Sequence, residues 1–385
     1  GLSYRAETGV SFSGGEHTPF WLTANKQGLS SIEKNNGYLR AGVFREFEND
    51  KRFSYAFGAD LAVAYNFTST FVVQQLYADL KYRCLGLSIG SKERHSEFNN
   101  PLLSSGGLTF SGNARPIPQV RIGIPEYTLV PGTKSWLAFK GHIAYGMFTD
   151  DGWQKDFVAP GGKHTEHVLY HSKDLYVKIG NREKFPLIFE GGLEMAAQFG
   201  GNAFIGGKKT DMPNGIKDFF KVFIPSGGDS STPTGEQTNV YGNHLGSWNF
   251  SLTWYAPKDW TIRPYYEHYF EDHSQMFGEY GWKDCLTGIE ITFPKNRVIG
   301  SFVYEYISTK DQTGPVYWDH TPEIPEQVSG TDNYYNHYIY AGWQHWGMGI
   351  GNPLVISPIY NTDGDISFKS SRMQGHHFGL MGTPC

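Results

Sequence analysis

Tyr55-Ala56-Phe57-Gly58-Ala59-Asp60-Leu61-Ala62-Val63-Ala64-Tyr65 reads with a period of two along its whole length. The odd positions, Tyr55, Phe57, Ala59, Leu61, Val63 and Tyr65, make one apolar face with aromatics at both ends. The even positions, Ala56, Gly58, Asp60, Ala62 and Ala64, are small or acidic. Successive side chains of a strand point to opposite faces, so the stretch predicts a β-strand with one apolar side. The same alternation recurs outward from it. Leu76, Ala78, Leu80 and Tyr82 oppose Gln75, Tyr77, Asp79, Lys81 and Arg83; Leu137, Phe139, Ile143, Tyr145 and Met147 oppose Lys140, His142 and Gly146. Leu187, Phe189, Leu193, Met195, Ala197 and Phe199 oppose Glu190, Glu194 and Gln198, and Trp248, Phe250, Leu252 and Trp254 oppose Asn249, Ser251 and Thr253.

Alternation alone does not say which face is outside. Length does: these runs last about 10–11 residues, what a tilted strand needs to cross a bilayer, whereas strands of soluble proteins average about 5–6. The aromatics sit at strand ends, where interfacial girdles place them. A soluble barrel of this size needs a charged exterior, but only 18% of residues are charged, below the usual value of about 25%. The expected fold is all-β, a transmembrane antiparallel β-barrel forming a single domain over residues 1–385.

Composition excludes other classes. With 61 aromatics (Phe 27, Trp 10, Tyr 24) and few charges the chain is no disordered segment. A net charge of −5 without a long Lys/Arg run excludes a basic nucleic-acid binder. No apolar run reaches the roughly 18 residues of a membrane helix. The three cysteines, Cys84, Cys285 and Cys385, lack metal or redox spacing. Residues 1–10 carry no signal-peptide pattern, so any such leader is expected to be already removed.

Connections alternate in length. Short turns are predicted at 49–52, 83–86, 131–135, 181–186, 256–259 and 294–297. Between them lie 91–116, 148–167, 200–246, 271–284 and 308–333, with 66–70 the one brief member of that set. Short turns on one side and long loops on the other are the asymmetry of outer-membrane barrels, whose long loops face outward from the cell. About fifteen strand-like segments run from Leu2–Phe12 to one starting near His376. Because an open strand edge in lipid leaves backbone groups unpaired, and the last strand has barely begun at Thr383-Pro384-Cys385, the native protein is expected to continue for several more strands.

The largest loop, 200–246, changes period. Ile216, Phe219, Phe220 and Phe223 recur at i, i+3, i+4 and i+7 between Pro213 and Pro225, which predicts a short amphipathic helix over 214–224; its apolar stripe should fold onto the barrel wall or against other loops, as a lumen plug or as simple loop packing. The Gly/Ser/Thr/Pro stretch 226–235 reads as mobile and exposed. Thr261, Arg263, Tyr265, Glu267, Tyr269 and Glu271 share a strand face, and with Asp79, Lys81 and Arg83 they predict a polar lumen cluster: a paired lining, or a polar path or sugar site built from acid, Arg and Tyr groups.

No catalytic machinery stands out. His376 and His377 are adjacent and point to opposite faces. His268 and His273 around Glu271 make a weak metal arrangement. Ser104-Ser105-Gly106-Gly107 is not a nucleophile elbow. The chain is expected to be no enzyme, with no metal site and no cofactor. The loops instead carry Asp150-Asp151-Gly152-Trp153, Gly281-Trp282-Lys283-Asp284 and Tyr317-Trp318-Asp319-His320. Indole faces stack on sugar rings while carboxylates and amides bond hydroxyls, so Asp151, Trp153, Trp282, Asp284, Trp318, Asp319 and Arg115 are the candidate glycan-binding residues. The competing reading of such clusters is an interfacial girdle.

His17-Thr18-Pro19-Phe20-Trp21-Leu22-Thr23-Ala24-Asn25-Lys26-Gln27-Gly28-Leu29, the stretch 103–123 (LSSGGLTFSGNARPIPQVRIG), Tyr304-Glu305-Tyr306 through Asp311-Gln312-Thr313-Gly314-Pro315, and 334–338 (YYNHY) to Gly351-Asn352-Pro353-Leu354 resemble the capsule assembly Wzi family, in its Bacteroidetes-type branch. The resemblance implies an outer-membrane barrel of about eighteen strands that helps attach capsular polysaccharide as a lectin-like anchor. It offers no motif to carry over as a sugar site. The long periplasmic helical pattern of enterobacterial members is absent here. The expected partners are capsular polysaccharide and outer-membrane lipid, with other envelope proteins as further candidates and no nucleic acid. The main alternative is a porin-like channel for small solutes.

Overall fold

The computed structural model describes residues 1–48, 51–224, 241–271, 276, 282–296, 298–317 and 328–382. One antiparallel sheet of fourteen strands makes the wall. In chain order these are β1 (Leu2–Phe12), β2 (Asn35–Arg45), β3 (Phe53–Tyr65), β4 (Phe71–Tyr82), β5 (Leu85–Ser91), β6 (Gln119–Leu129) and β7 (Leu137–Met147). They continue as β8 (Leu169–Ile179), β9 (Leu187–Phe199), β10 (Asn243–Ala256), β11 (Trp260–Phe270), β12 (Cys285–Thr292), β13 (Ser301–Ser308) and β14 (Gln374–Met381). Each strand pairs with its neighbour in sequence, as an up-and-down barrel wall requires. Among the described residues no ladder joins β1 to β14, so the sheet is open rather than closed. No helix of the described residues is long and apolar enough to cross a membrane.

The wall is inverted relative to a soluble barrel. Along β3 the odd residues, Tyr55, Leu61, Val63 and Tyr65 among them, are exposed on the outside, while Ala56, Asp60, Ala62 and Ala64 are buried on the inside. Two irregularities adjust the phase. In β4 a bulge opposite Asp60/Leu61 turns both Gln74 and Gln75 inward. In β6 the register against β7 shifts between Ile124 and Thr128, where Pro125 cannot donate to the ladder. The high glycine content has a cross-strand use: a Cβ at Gly9, Gly58, Gly192 or Gly288 would strike the ring of Tyr38, Tyr77, Tyr176 or Tyr265 lying over it from the neighbouring strand.

The core sits inside the wall, and irregular backbone fills it. Segment 92–118 between β5 and β6, and segment 309–373 between β13 and β14, place Phe98, Leu108, Tyr334, Tyr335, Trp343, Ile350 and Phe368 against inward residues such as Tyr265 and Tyr269. The sequence reading expected about fifteen strands; the described residues of 309–373 add none to the wall, only short hairpins and turns.

Lipid-facing charge is costly in a depth-dependent way. Leu61→Arg, mid-strand on the outward face, is expected to lower folding free energy into vesicles by about 2–4 kcal/mol, and Tyr65→Arg at the strand end by no more than about 1 kcal/mol. A urea titration of vesicle-folded protein checks the ranking; equal, small effects would sink the outward assignment.

Candidate functional site

The inward charges are committed to hydrogen bonds. Near β1–β4, Arg40 donates to Asp60 at 2.5–3.1 Å and to Glu93 at 2.6 Å, while Gln74 and Gln75 bridge to Glu93 and Asp60. Farther round, carboxylates of the wall hold the filling segments. Glu267 accepts the Leu108 N–H at 2.9 Å, the Thr109 N–H at 3.3 Å and the Ser247 hydroxyl at 2.7 Å. Glu305 accepts the Ser105 N–H at 2.8 Å and the hydroxyls of Ser104, Ser105 and Tyr265, each at 2.6 Å. Glu290 accepts from Asn100 at 2.7 Å, and Arg263 donates to the Phe98 carbonyl at 2.7 Å.

The filling segments then bind one another. Asn113 donates to the Gly349 carbonyl at 2.9 Å, and Ser111 to that of Gly351 at 2.6 Å. Asn352 donates to the Gly106 carbonyl at 2.7 Å, and the Trp343 indole to that of Thr109 at 2.8 Å. The loop after β1 joins through Gln27 N–H to the Gly112 carbonyl at 2.7 Å. Gly28 sits there at φ +68°, and any Cβ on it would collide with the Arg115 backbone.

The expected lumen cluster is therefore corrected in part. Glu267 and Arg263 lie inside on β11, and Asp79 lies inside on β4, ion-paired with Lys92 at 2.5 Å. Lys81 pairs with Glu126 at 3.3 Å. Arg83 leaves the set: it lies in the β4–β5 turn at φ +55°, exposed, its guanidinium over the Tyr82 ring, because alternation ends where the strand ends. Neither Asp79 nor Lys81 is bonded to Glu267, so these groups form separate pairs rather than one polar path.

The candidate glycan residues also separate. Trp282 lies on the outer face, stacked on His268 at 4.7 Å with Phe250 and Tyr266 beyond, which is girdle packing. Asp284 turns inward, accepting from Asp311 N–H at 2.9 Å, Gln312 N–H at 2.7 Å and Tyr334 hydroxyl at 2.7 Å. Burial pushes its carboxyl above the usual range against those three donors. Trp318 and Asp319, like His273 and stretch 226–235, lie outside the described residues.

Asp151, Trp153 and Arg115 lie at the long-loop end of the wall, where Trp346 packs on the small cluster that holds Trp153 and lies beside Arg115. Helix α1 (Asp151–Phe157) follows β7, and its Trp153 is buried, stacked on Phe157 at 4.8 Å beside Ala341 and Ile366. Its indole face is thus spent on packing. Asp151 is partly open and accepts the His167 N–H at 3.0 Å; burial raises its carboxyl pKa despite that bond. Arg115 lies with its guanidinium 4.0 Å from the centre of the Trp346 ring and donates to Thr68 and Ser69 hydroxyls at 3.2 Å. It makes no ion pair among the described residues, and burial lowers it to about 10, with Asp150 opposing. Trp346 is partly open, held by its Nε1–H to Thr149 at 3.1 Å and by its backbone N–H to Asp150 at 3.2 Å. Sequence reading missed Trp346, Asp150 and Glu305; the Tyr304-Glu305-Tyr306 alternation was the one available signal for Glu305.

Ser172, His142 and Asp174 stand in a row inside the wall, His142 Nε2 2.8 Å from the Ser172 hydroxyl and Nδ1 2.9 Å from Asp174. The spacing is that of a catalytic triad. Ser172 is 6% exposed and Asp174 also accepts the His142 backbone N–H at 2.9 Å, so the row ties β7 to β8 rather than presenting a nucleophile. Among the described residues no group of three or more His, Cys, Asp or Glu is placed to hold a metal.

Fold and interior together define a class: an outer-membrane-type antiparallel β-barrel wall with a filled lumen. Among solved structures the chain is similar to Wzi of Escherichia coli, described as an outer membrane protein involved in group 1 capsule assembly and a carbohydrate-binding β-barrel. The TM-score is 0.52 at 15% identity, over 91% of this chain and 62% of that one. The chain thus spans less than two thirds of that protein's length, and the likeness is one of fold. OmpF of Salmonella typhi, solved with daunomycin, is similar at TM-score 0.25 and 10% identity over 79% of this chain and 89% of that one. No protein-family model matches the sequence, and no curated protein matches it.

Two outcomes follow. Glu267→Ala leaves the Leu108 and Thr109 amides without their acceptor, a loss of about 1–3 kcal/mol; hydrogen exchange at both amides should accelerate roughly ten- to hundredfold, with β-sheet content retained. His345 is fully buried, donating Nδ1–H to the Arg115 carbonyl at 2.8 Å and accepting the Thr149 N–H on Nε2 at 3.1 Å, so burial and an occupied acceptor hold it neutral, below the ordinary value of 6.5. Its folded pKa being depressed, the unfolded chain takes the proton first. Stability is level above about pH 6.5 and falls as pH drops below it. Thermal unfolding at about pH 7.5 and about pH 5 should show the loss, and His345→Gln should reduce it, buried His337 contributing in the same direction.

Proposed function

We propose that this chain is a non-enzymatic protein of the bacterial outer membrane that binds capsular or other surface polysaccharide and helps hold it at the cell surface. The observation that carries the reading is the Arg115–Trp346 pair at the long-loop end, taken as the outer end of the barrel. A largely buried guanidinium that makes no ion pair among the described residues lies against a partly open indole, flanked by Thr68 and Ser69. That set suits an acidic sugar: the cation for a uronate-type carboxylate, the indole for the apolar face of a ring, hydroxyls for sugar hydroxyls. The carbohydrate binding described for the similar Wzi barrel supports the reading. So does the filled interior, which suits an anchor better than a solute channel. Capsular polysaccharide and outer-membrane lipid are the partners this implies.

Binding of the purified protein in detergent to capsular polysaccharide of its own strain tests it, beside unrelated neutral glycans. Trp346→Ala is expected to weaken binding about tenfold or more, and Trp282→Ala, on the outer girdle, to leave it unchanged. Absence of glycan binding, with steady conductance in a planar bilayer, would overturn the proposal in favour of a channel.

A further inference from the structure

The outward face of the wall carries polar side chains toward its long-loop end, His268 and His376 among them, and one group of these is covered. Tyr145 pairs with Val120 on one side and His171 on the other, His171 with Ala197, and Ala197 with His244. Paired residues share a face, and Val120 is 51% exposed on the outside, so Tyr145, His171 and His244 point outward too. Lys173, paired with the outward Ile143, joins them. A hydroxyl, two imidazoles and an ammonium thus stand together in a mostly apolar band, a costly arrangement against acyl chains.

Helix α2 (Ile216–Phe223) covers this notch from outside. Tyr145 donates to the Phe219 carbonyl at 2.9 Å, and Lys173 donates to the Phe223 carbonyl while its ammonium lies 4.7 Å from the Phe223 ring. The free Phe223 carbonyl at the helix C-terminus, the Phe219 carbonyl one turn before it and the wall's polar groups satisfy each other. Phe219 packs on Tyr145 and Phe199, each at 5.1 Å, and Val222, Ala197 and Phe199 are fully buried beneath. The helix was expected to bury one stripe through Ile216, Phe219, Phe220 and Phe223. Instead it splits: Phe219, Val222 and Phe223 face the wall, while Ile216, Phe220 and Ile224 are 78%, 68% and 69% exposed on the opposite side. It therefore lies outside the wall, not in the lumen.

We propose that α2 is a membrane-embedded cover: it lies against the outside of the barrel within the leaflet at the long-loop end, and its Ile216–Phe220–Ile224 stripe takes lipid acyl chains. The occupant follows from continuity, since the helix is bonded through Phe219 to Tyr145, the register partner of exposed Val120, and its stripe extends the apolar band over the notch. The inference rests on the sheet crossing a bilayer and is independent of the polysaccharide reading.

The test uses the full chain in phosphatidylcholine vesicles, with Cys84→Ser, Cys285→Ala and Cys385→Ser as background. A fluorophore is placed in turn by Phe220→Cys, by Val120→Cys on the bare wall and by Gly206→Cys in an open turn. Acyl-chain nitroxides and aqueous iodide serve as quenchers. The expected result is that Phe220→Cys is quenched by nitroxide to within about twofold of Val120→Cys and protected from iodide relative to Gly206→Cys. Iodide quenching equal to that at Gly206→Cys, with Val120→Cys still lipid-quenched, would overturn the proposal and leave the barrel standing. Protection from both quenchers would replace acyl chains by protein as the occupant and also overturn it. Loss of nitroxide quenching at Val120→Cys would remove the transmembrane sheet itself and the cover with it.

Discussion

Inward carboxylates of the wall, Glu267 and Glu305 above all, are the groups on which the interior depends. A buried carboxylate is expensive unless hydrogen bonds surround it, and a buried irregular backbone is expensive for the same reason. Here each meets the other's need. Glu267 takes the amides of Leu108 and Thr109, Glu305 takes the Ser105 amide and three hydroxyls, and Asp284 takes the amides of Asp311 and Gln312. Segments with no ladder of their own are thereby fixed inside a sheet, and they fix one another through Asn113, Asn352 and Trp343. The rim that carries Arg115 and Trp346 is the outer edge of this same assembly: His345, next to Trp346, is bonded to the Arg115 carbonyl.

The two sides of the wall solve opposite problems. Outside, apolar side chains face a solvent that forms no hydrogen bonds, and one polar notch is covered by a helix supplying both carbonyls and a new apolar surface. Inside, charge is used freely where opposite groups meet, as in the Arg40, Asp60 and Glu93 set. The stretches quoted for the family resemblance fall mostly on the filling segments, 17–29, 103–118 and 334–354. Their unusual composition of Gly, Asn, Ser and aromatic residues suits chain that packs without regular structure against itself.

The candidate site was legible only in pieces. Asp151 and Arg115 could be picked out as polar groups in long loops, but loop chemistry carries no direction. Trp282 and Trp153 look alike in sequence, yet one stacks on the outer girdle and the other inside a small loop core. Asp284 is two residues from Trp282 and points the other way: it directly precedes β12, whose first residue Cys285 pairs with outward His268, whereas Trp282 lies outside the strand. Trp346 stood in a stretch without period, and its link to Arg115 spans most of the chain.

The sequence by itself determined the wall. Lipid and lumen are different solvents on the two faces of every strand, so the demand is written residue by residue at period two, and strand positions and outward faces could be read from Tyr55–Tyr65 onward. Tertiary structure alone decided what fills that wall and what covers it. Leu108 and Glu267, or Ser105 and Asn352, recognise each other through backbone groups and single side chains far apart in the chain, which leaves no periodic trace. In α2, Ile216 with Phe220 and Phe219 with Val222 are equally apolar, so hydrophobicity could not choose the buried face. The carbonyl acceptors that Tyr145 and Lys173 needed on the outer wall made that choice.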